Sequence, residues 1–341
     1  MRHNIEKRGG KPDMNAASVS LIRELRPKIV ERRVRLQAAA RSVSAEYVND
    51  LLAEIDATLH KIDNGSFGLC ETCREPIEAD RLTRNPLLRF CLDHLTGAER
   101  RAHEQDLELA TRIQARLLPA ADVTAGDWVT HYRYEPAGAV GGDYCEVIPA
   151  GDGRSVFFAV GDVTGKGVAA SLLMTHLSAI LRSLLSLDLP LAEVMSRANR
   201  LFCESTPATH YATLAAGRTT EDGVDLCNAG HSRPLLLRRG GTEQVDSTGL
   251  PLGLFCDGRC GITHLRLEPG DTLVLYSDGI TEAQDPNGDH YGEERLIRSF
   301  EGHAEREPAE VAGSVLQDLV RFRGTGLQQD DMTLLIVRRR C

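Results

Sequence analysis

Beyond Ala125 the sequence breaks into short apolar runs punctuated by glycine and aspartate, and this texture constrains the fold more than any other feature. The runs Trp128–Glu135, Tyr144–Ile148, Ser155–Val160, Ala212–Gly217, Gly223–Asn228, Leu235–Arg239, Thr272–Ser277 and Thr333–Arg338 read as strands. Helical patterns are confined to Gly167–Leu187, Pro190–Cys203, Gly292–Phe300 and Pro308–Arg321. Helices thus fall between groups of consecutive strands. That order predicts an α+β fold, an antiparallel sandwich flanked by helices, rather than a doubly wound parallel sheet.

The first third has a different texture, and the chain divides into a polar tail over 1–14, a helical module over 15–98, a linker helix over 99–120 and a sandwich domain over 121–341. From Asn15 to Gln37 the pattern is helical and basic, with Pro27 expected to interrupt it. In Ala45–Ile62 the residues Val48, Leu51, Leu52, Ile55 and Leu59 share one face, and Asn64-Gly65 ends the helix. Two such helices joined near Ser42–Ser44 make an antiparallel hairpin. The helix Glu99–Leu118 carries Leu109, Ile113 and Leu117 as one stripe, which must pack on its own sandwich domain or on a second copy of the chain.

Cys70-Glu-Thr-Cys73 and Cys91-Leu-Asp-His94 are two paired-ligand turns separated by seventeen residues. Four nitrogen and sulfur donors on two turns suit one tetrahedral structural Zn²⁺ with no open position, which excludes zinc hydrolysis there. The surrounding run, Ile62-Asp-Asn-Gly-Ser-Phe-Gly-Leu-Cys70 followed by Cys73, Glu75-Pro-Ile77, Arg81-Leu82, Pro86 and Phe90-Cys91, resembles the zinc finger of the DksA/TraR family. That family binds bacterial RNA polymerase through acidic residues at a hairpin tip. Here the tip Ala40–Ser44 is basic, and His94 stands where the family has cysteine. The zinc carries over, and polymerase contact is not supported by the tip.

In the sandwich region four segments place an aspartate at a strand end or beside glycine: Gly141-Gly-Asp143, Gly161-Asp162-Val-Thr-Gly165-Lys-Gly167, Tyr276-Ser-Asp278-Gly279 and Gln329-Asp330-Asp331-Met-Thr333. Carboxylates that converge repel unless cations neutralise them, and oxygen-only donors favour Mg²⁺ or Mn²⁺ over zinc. Two such ions, about 3.5–4 Å apart, would polarise a phosphoryl group and hold a water for in-line attack. No phosphate-binding loop of the nucleotide-triphosphatase kind is present in the sequence.

These segments, in this order, resemble the SpoIIE/RsbU branch of the metal-dependent protein phosphatases, the protein phosphatase 2C superfamily. Arg112-Ile-Gln114 with Leu117-Leu-Pro119, Asn228-Ala-Gly-His231 with Pro234-Leu-Leu-Leu237, and Gly249-Leu-Pro-Leu-Gly253 add to the match. The resemblance implies a phosphoserine/phosphothreonine protein phosphatase acting on a phosphorylated STAS-domain anti-anti-sigma-type regulator. It implies that Asp162 bridges two metals, that the Val163 carbonyl binds one of them, that Asp278 and Asp330 ligate the second, and that Asp143 binds metal directly or through water. Departures are Glu146, where the family has aspartate, and Thr164, where larger relatives have histidine. Glu146 is expected to reach the water shell of a metal, Lys166 to meet phosphate or solvent, and His231 to order a turn.

Charge and cysteines bound the remaining classes. The net charge of −9 is uneven: residues 1–100 hold 17 Lys+Arg against 15 Asp+Glu, so the rest carries −11, which suits cations better than nucleic acid. No run reads as a membrane span or a signal peptide. Cys145, Cys203, Cys227, Cys256 and Cys260 are scattered without a disulfide-framework spacing, so a reducing cytoplasm and unpaired thiols are expected. A homodimer through the linker helix follows from its stripe. The competing reading is a zinc-finger adaptor for the transcription machinery with a non-catalytic docking domain.

Overall fold

The computed structural model describes residues 16–39, 45–94, 97–187, 189–300 and 306–340. The tail expected over 1–14 and the hairpin tip Ala40–Ser44 lie outside them. The chain divides into two units, 1–105 and 106–341.

In the first unit α1 (Ala16–Ala39) and α2 (Ala45–Asp63) pair antiparallel, with Arg26 to Asp63 at 3.2 Å and Arg33 to Asp56 at 2.6 Å fixing the register. Contrary to the expected break, α1 runs through Pro27. Leu25 and Ile29 flank the proline and are buried against Ile55, and this packing outweighs the missing backbone donor. The same core takes in Phe67, Cys70, Ile77, Leu82 and Cys91, supported by α3 (Ala79–Arg84). The helix α4 (Gly97–Leu117) follows, and the division into units falls within it.

The described residues of the second unit form eleven strands: β1 (Asp122–Ala125), β2 (Trp128–Glu135), β3 (Tyr144–Pro149), β4 (Val156–Val163), β5 (Ala212–Thr219), β6 (Gly223–Ala229), β7 (Leu235–Arg238), β8 (Gly241–Gln244), β9 (Thr263–Arg266), β10 (Thr272–Tyr276) and β11 (Met332–Arg339). They form two antiparallel sheets, β1-β2-β11-β10-β7-β8 and β3-β4-β5-β6-β9. Helices α5 (Gly167–Leu185) and α6 (Leu191–Ser205) cover the second sheet; α7 (Asp278–Thr281), α8 (Glu293–Phe300) and α9 (Pro308–Arg323) lie with the first.

The strand period of two sorts side chains into three cores. In β4, Phe157 and Ala159 face Met174, Leu177 and Leu181 of α5, while Val156, Phe158 and Val160 face the other sheet. In β11, Leu335 and Val337 complete the inter-sheet core, whereas Leu334 and Ile336 meet Val311, Val315 and Leu319 of α9. The result is a helix–sheet–sheet–helix sandwich, the α+β architecture expected. The helix α5 is apolar enough by composition to span a membrane, yet its apolar face is buried in this core.

The cysteines depart from expectation. Cys203 of α6 is bonded to Cys256, and Cys227 of β6 to Cys260; Cys145 is a free, buried thiol. Spacing along the chain did not show the pairs because the fold, not the sequence interval, brings residues 53 and 33 positions apart within 5.4 and 6.1 Å at Cα. On loop-closure entropy each cross-link is worth about 3–4 kcal/mol. Reduction is therefore expected to lower the urea midpoint of the protein, and a Cys203→Ser/Cys227→Ser double variant to show no further response to reductant.

Candidate active site

The aspartates meet because of strand register. Tyr144 pairs with Gly161 across β3 and β4, which puts Asp143 beside Asp162 at one end of the second sheet. Tyr276 pairs with Leu334 across β10 and β11, which puts Asp278 and Asp330 at the same end of the first sheet. Between the two sheets, Thr333 Oγ1 donates to Asp143 Oδ2 at 2.6 Å.

Crowding marks the cluster electrically. Burial, then the charges of Asp278, Asp330 and Asp331, push the Asp162 carboxyl up to about 7. Burial, then Glu282 and Asp330, raise Asp278. Asp143, buried deepest, is pushed up by burial against the pull of the Thr333 hydroxyl. A side chain at Gly142 would sit 3.2 Å from the Val163 carbonyl oxygen and 3.5 Å from Asp162 Oδ1, so both oxygens face one small space that glycine leaves open. Gly165 and Gly167, with φ of 107° and 67°, turn the chain from β4 into α5.

Besides Thr333, residues of the site not assigned from sequence hold the loop before Asp143. Asp331, buried beside Asp330, accepts the backbone N–H groups of Ala137 at 2.8 Å and Gly142 at 2.6 Å. Gln114 of α4, also buried, donates to the Gly141 carbonyl at 2.7 Å and accepts the Gly141 N–H at 3.1 Å. With Thr111 Oγ1 donating to the Ala139 carbonyl at 2.9 Å, these groups grip the loop before Asp143 from both sides. The adjacent acid of Asp330-Asp331 and a glutamine on an otherwise exposed helix were the available signals.

One expectation is corrected. Glu146 does not approach the cluster: it is buried in a bidentate pair with Arg182 of α5, at 2.6 and 3.0 Å, because its strand position turns it toward the helix layer. Arg182 also donates to the Leu117 carbonyl at 2.7 Å, tying α4 to α5. Thr164 accepts the Tyr211 N–H at 3.1 Å. Lys166 is paired with Asp330 at 2.8 Å and donates to the Gln329 carbonyl at 3.0 Å.

His231 orders a turn, its N–H donating to Asn228 Oδ1 at 2.8 Å. Its ring also lies behind the cluster: Nδ1 is 2.9 Å from Thr213 Oγ1, and Thr213 pairs with Asp162. Burial holds the imidazole at about 4, below the ordinary 6.5. A base depressed in the folded state adds stability that is complete above pH 6.5 and lost as pH falls toward 4. Linkage sets the loss at about 3 kcal/mol. The raised Asp162, Asp143 and Asp278 carboxyls act in the opposite sense over the same range. The His231 contribution should therefore appear as the difference between urea titrations of the parent and of His231→Asn, the parent losing more stability, or gaining less, as pH falls from 6.5 to 4.

Comparison with known proteins places this geometry. The chain is 25% identical over 265 residues to protein IcfG of Synechocystis sp., covering 69% of this chain and 41% of that one. It is 26% identical over 248 residues to phosphoserine phosphatase RsbU of Bacillus subtilis, covering 70% and 71%. The chain thus spans under half the length of IcfG. The SiaA-PP2C domain of Pseudomonas aeruginosa has the same fold, with a TM-score of 0.62 at 20% identity over 72% of this chain and 99% of that one. Over 49 residues the chain is 43% identical to the RNA polymerase-binding transcription factor DksA of Haemophilus influenzae, 14% of this chain and 34% of that one. The model of the Stage II sporulation protein E (SpoIIE) family matches residues 152–340, over half the chain and including β4, β10 and β11 with three of the four aspartates, and the chain belongs to that family.

Proposed function

We propose that the chain is a metal-dependent phosphoprotein serine/threonine phosphatase. The observation that carries the reading is the convergence of Asp143, Asp162, Asp278 and Asp330 from both sheets on one end of the sandwich. The donor set fits hard divalent cations: carboxylates whose crowding raises their affinity for protons hold Mn²⁺ or Mg²⁺ for the same electrostatic reason. Asp162 with the Val163 carbonyl, and Asp278 with Asp330, would hold two such ions, and Asp143 would ligate directly or through water. Bound there, the ions would supply Lewis acidity toward a phosphoryl group and a water of lowered pKa. The chain's own part is placement. Thr333 orients Asp143, Asp331 and Gln114 fix the loop before it, and Lys166 offsets charge at Asp330.

The finer features belong to the same proposal. The substrate is a phosphorylated protein of the STAS-domain regulator type, on the likeness to RsbU. Leu107, Leu109 and Ile113 of α4 are exposed, at 39–51%, which supports a homodimer through that helix. In the first unit the donor atoms of Cys70, Cys73, Cys91 and His94 lie within 4.8 Å of one another, a set that fits one structural Zn²⁺. Burial raises the Cys70 thiol, but N–H donors from Cys73, Cys91 and Thr72 outweigh it and bring it down to about 6, toward the thiolate a metal needs.

Hydrolysis of p-nitrophenyl phosphate should require Mn²⁺ or Mg²⁺ and fall at least 100-fold in Asp278→Asn with an unchanged circular dichroism spectrum. No metal-stimulated turnover in the parent chain would sink the phosphatase reading and favour an adaptor role. Elemental analysis should find about one zinc per chain, reduced in Cys73→Ser, and chelation should unfold the first unit before the second.

A further inference from the structure

A cleft of about 150 Å³ opens beside the aspartate cluster, between the end of α9, the connection from α7 to α8, and the loop before β11. A single water needs only ~10–15 Å³ on this measure, so the cleft is roomy enough for a side chain. Gly279 and Asp330 form part of its wall, so it adjoins the residues expected to hold metal.

Most polar groups in the wall are already satisfied. Gln329 Nε2 donates to Gln284 Oε1 at 3.2 Å, and Gln284 Nε2 lies 3.1 Å from His290 Nε2. Lys166 is held by Asp330. Arg323 is the cation of the wall without an acidic partner. Its Nε is buried with no hydrogen-bond partner, and Nη1 reaches only Gln328 Oε1 at 3.5 Å. Among the described residues no carboxylate is ion-paired with Arg323, unlike Lys166, and a planar guanidinium matches a carboxylate best. Glu282, the acid of the wall, sits one turn after Asp278, its N–H bonded to the Asp278 carbonyl at 2.7 Å. An extended peptide advances about 3.3–3.6 Å per residue, so a phosphoserine at the aspartates sets its close neighbours over this cleft.

We propose that the cleft is a substrate subsite in which Arg323 receives a carboxylate side chain lying one to three residues from the phosphoserine, so that acidic segments are preferred. The proposal rests on the phosphatase reading of the adjoining aspartates.

The test compares phosphoserine peptides that differ only in carrying Asp or Lys at the flanking positions, using the full chain with Mn²⁺. The parent should favour the Asp peptide at least tenfold in kcat/KM, mainly through KM. In Arg323→Gln the ratio should fall to within twofold, and Arg323→Lys, which keeps the charge at the end of α9, should recover part of it. Fluorescence anisotropy with peptides bearing a non-hydrolysable phosphonate gives the same comparison without turnover. Discrimination by anisotropy that depends on Arg323 upholds the subsite even where no peptide is hydrolysed, an outcome that overturns the phosphatase reading alone. No preference in the parent, or a preference that survives Arg323→Gln, overturns the subsite.

Discussion

Mutual repulsion of carboxylates at one end of the sandwich is the constraint on which the rest of the second unit depends. Asp162 feels Asp278, Asp330 and Asp331 at once while half-buried, and nothing local to its strand could hold it there. The opposing force is the burial of three apolar cores. Phe158 between the sheets and Met174, Leu177 and Leu181 under α5 are fully enclosed, each worth about 1.5–3 kcal/mol of transfer free energy. The sheets are thereby held with the four acids gathered at one end of the sandwich.

Hydrogen bonds then connect that end to the helix entering the unit. Gln114 and Thr111 on α4 hold Ala139 and Gly141, Asp331 holds Ala137 and Gly142, and Asp143 follows directly. One turn further along α4, the Leu117 carbonyl receives Arg182, whose other partner is the buried Glu146. A displacement of α4 therefore cannot leave the loop before Asp143 unchanged without breaking buried polar pairs, each costly when left unsatisfied.

The interior strands and the long helices were legible in the sequence because each carries an apolar run or a helical stripe. The strands that escaped, β1, β8 and β9, are sheet edges, half exposed, with only four residues apiece, so no apolar run announces them. Pro27 misled because local propensity was weighed without the packing of Leu25 and Ile29. Glu146 misled because it was read by its place in a motif, whereas the side its carboxylate faces is set by the strand and by Arg182.

The sequence by itself determined the α+β class, the paired-ligand turns at Cys70–Cys73 and Cys91–His94, and the identity of the four aspartates, since residue type and interval suffice for these. Only the tertiary structure decided which groups act on those aspartates. Thr333 lies 190 positions from Asp143, Asp331 lies 189 from Gly142 and Gln114 lies 27 from Gly141, and both disulfides join distant segments. Such pairings are products of register and layer packing, and a chain that has not yet chosen its neighbours contains no local signal of them.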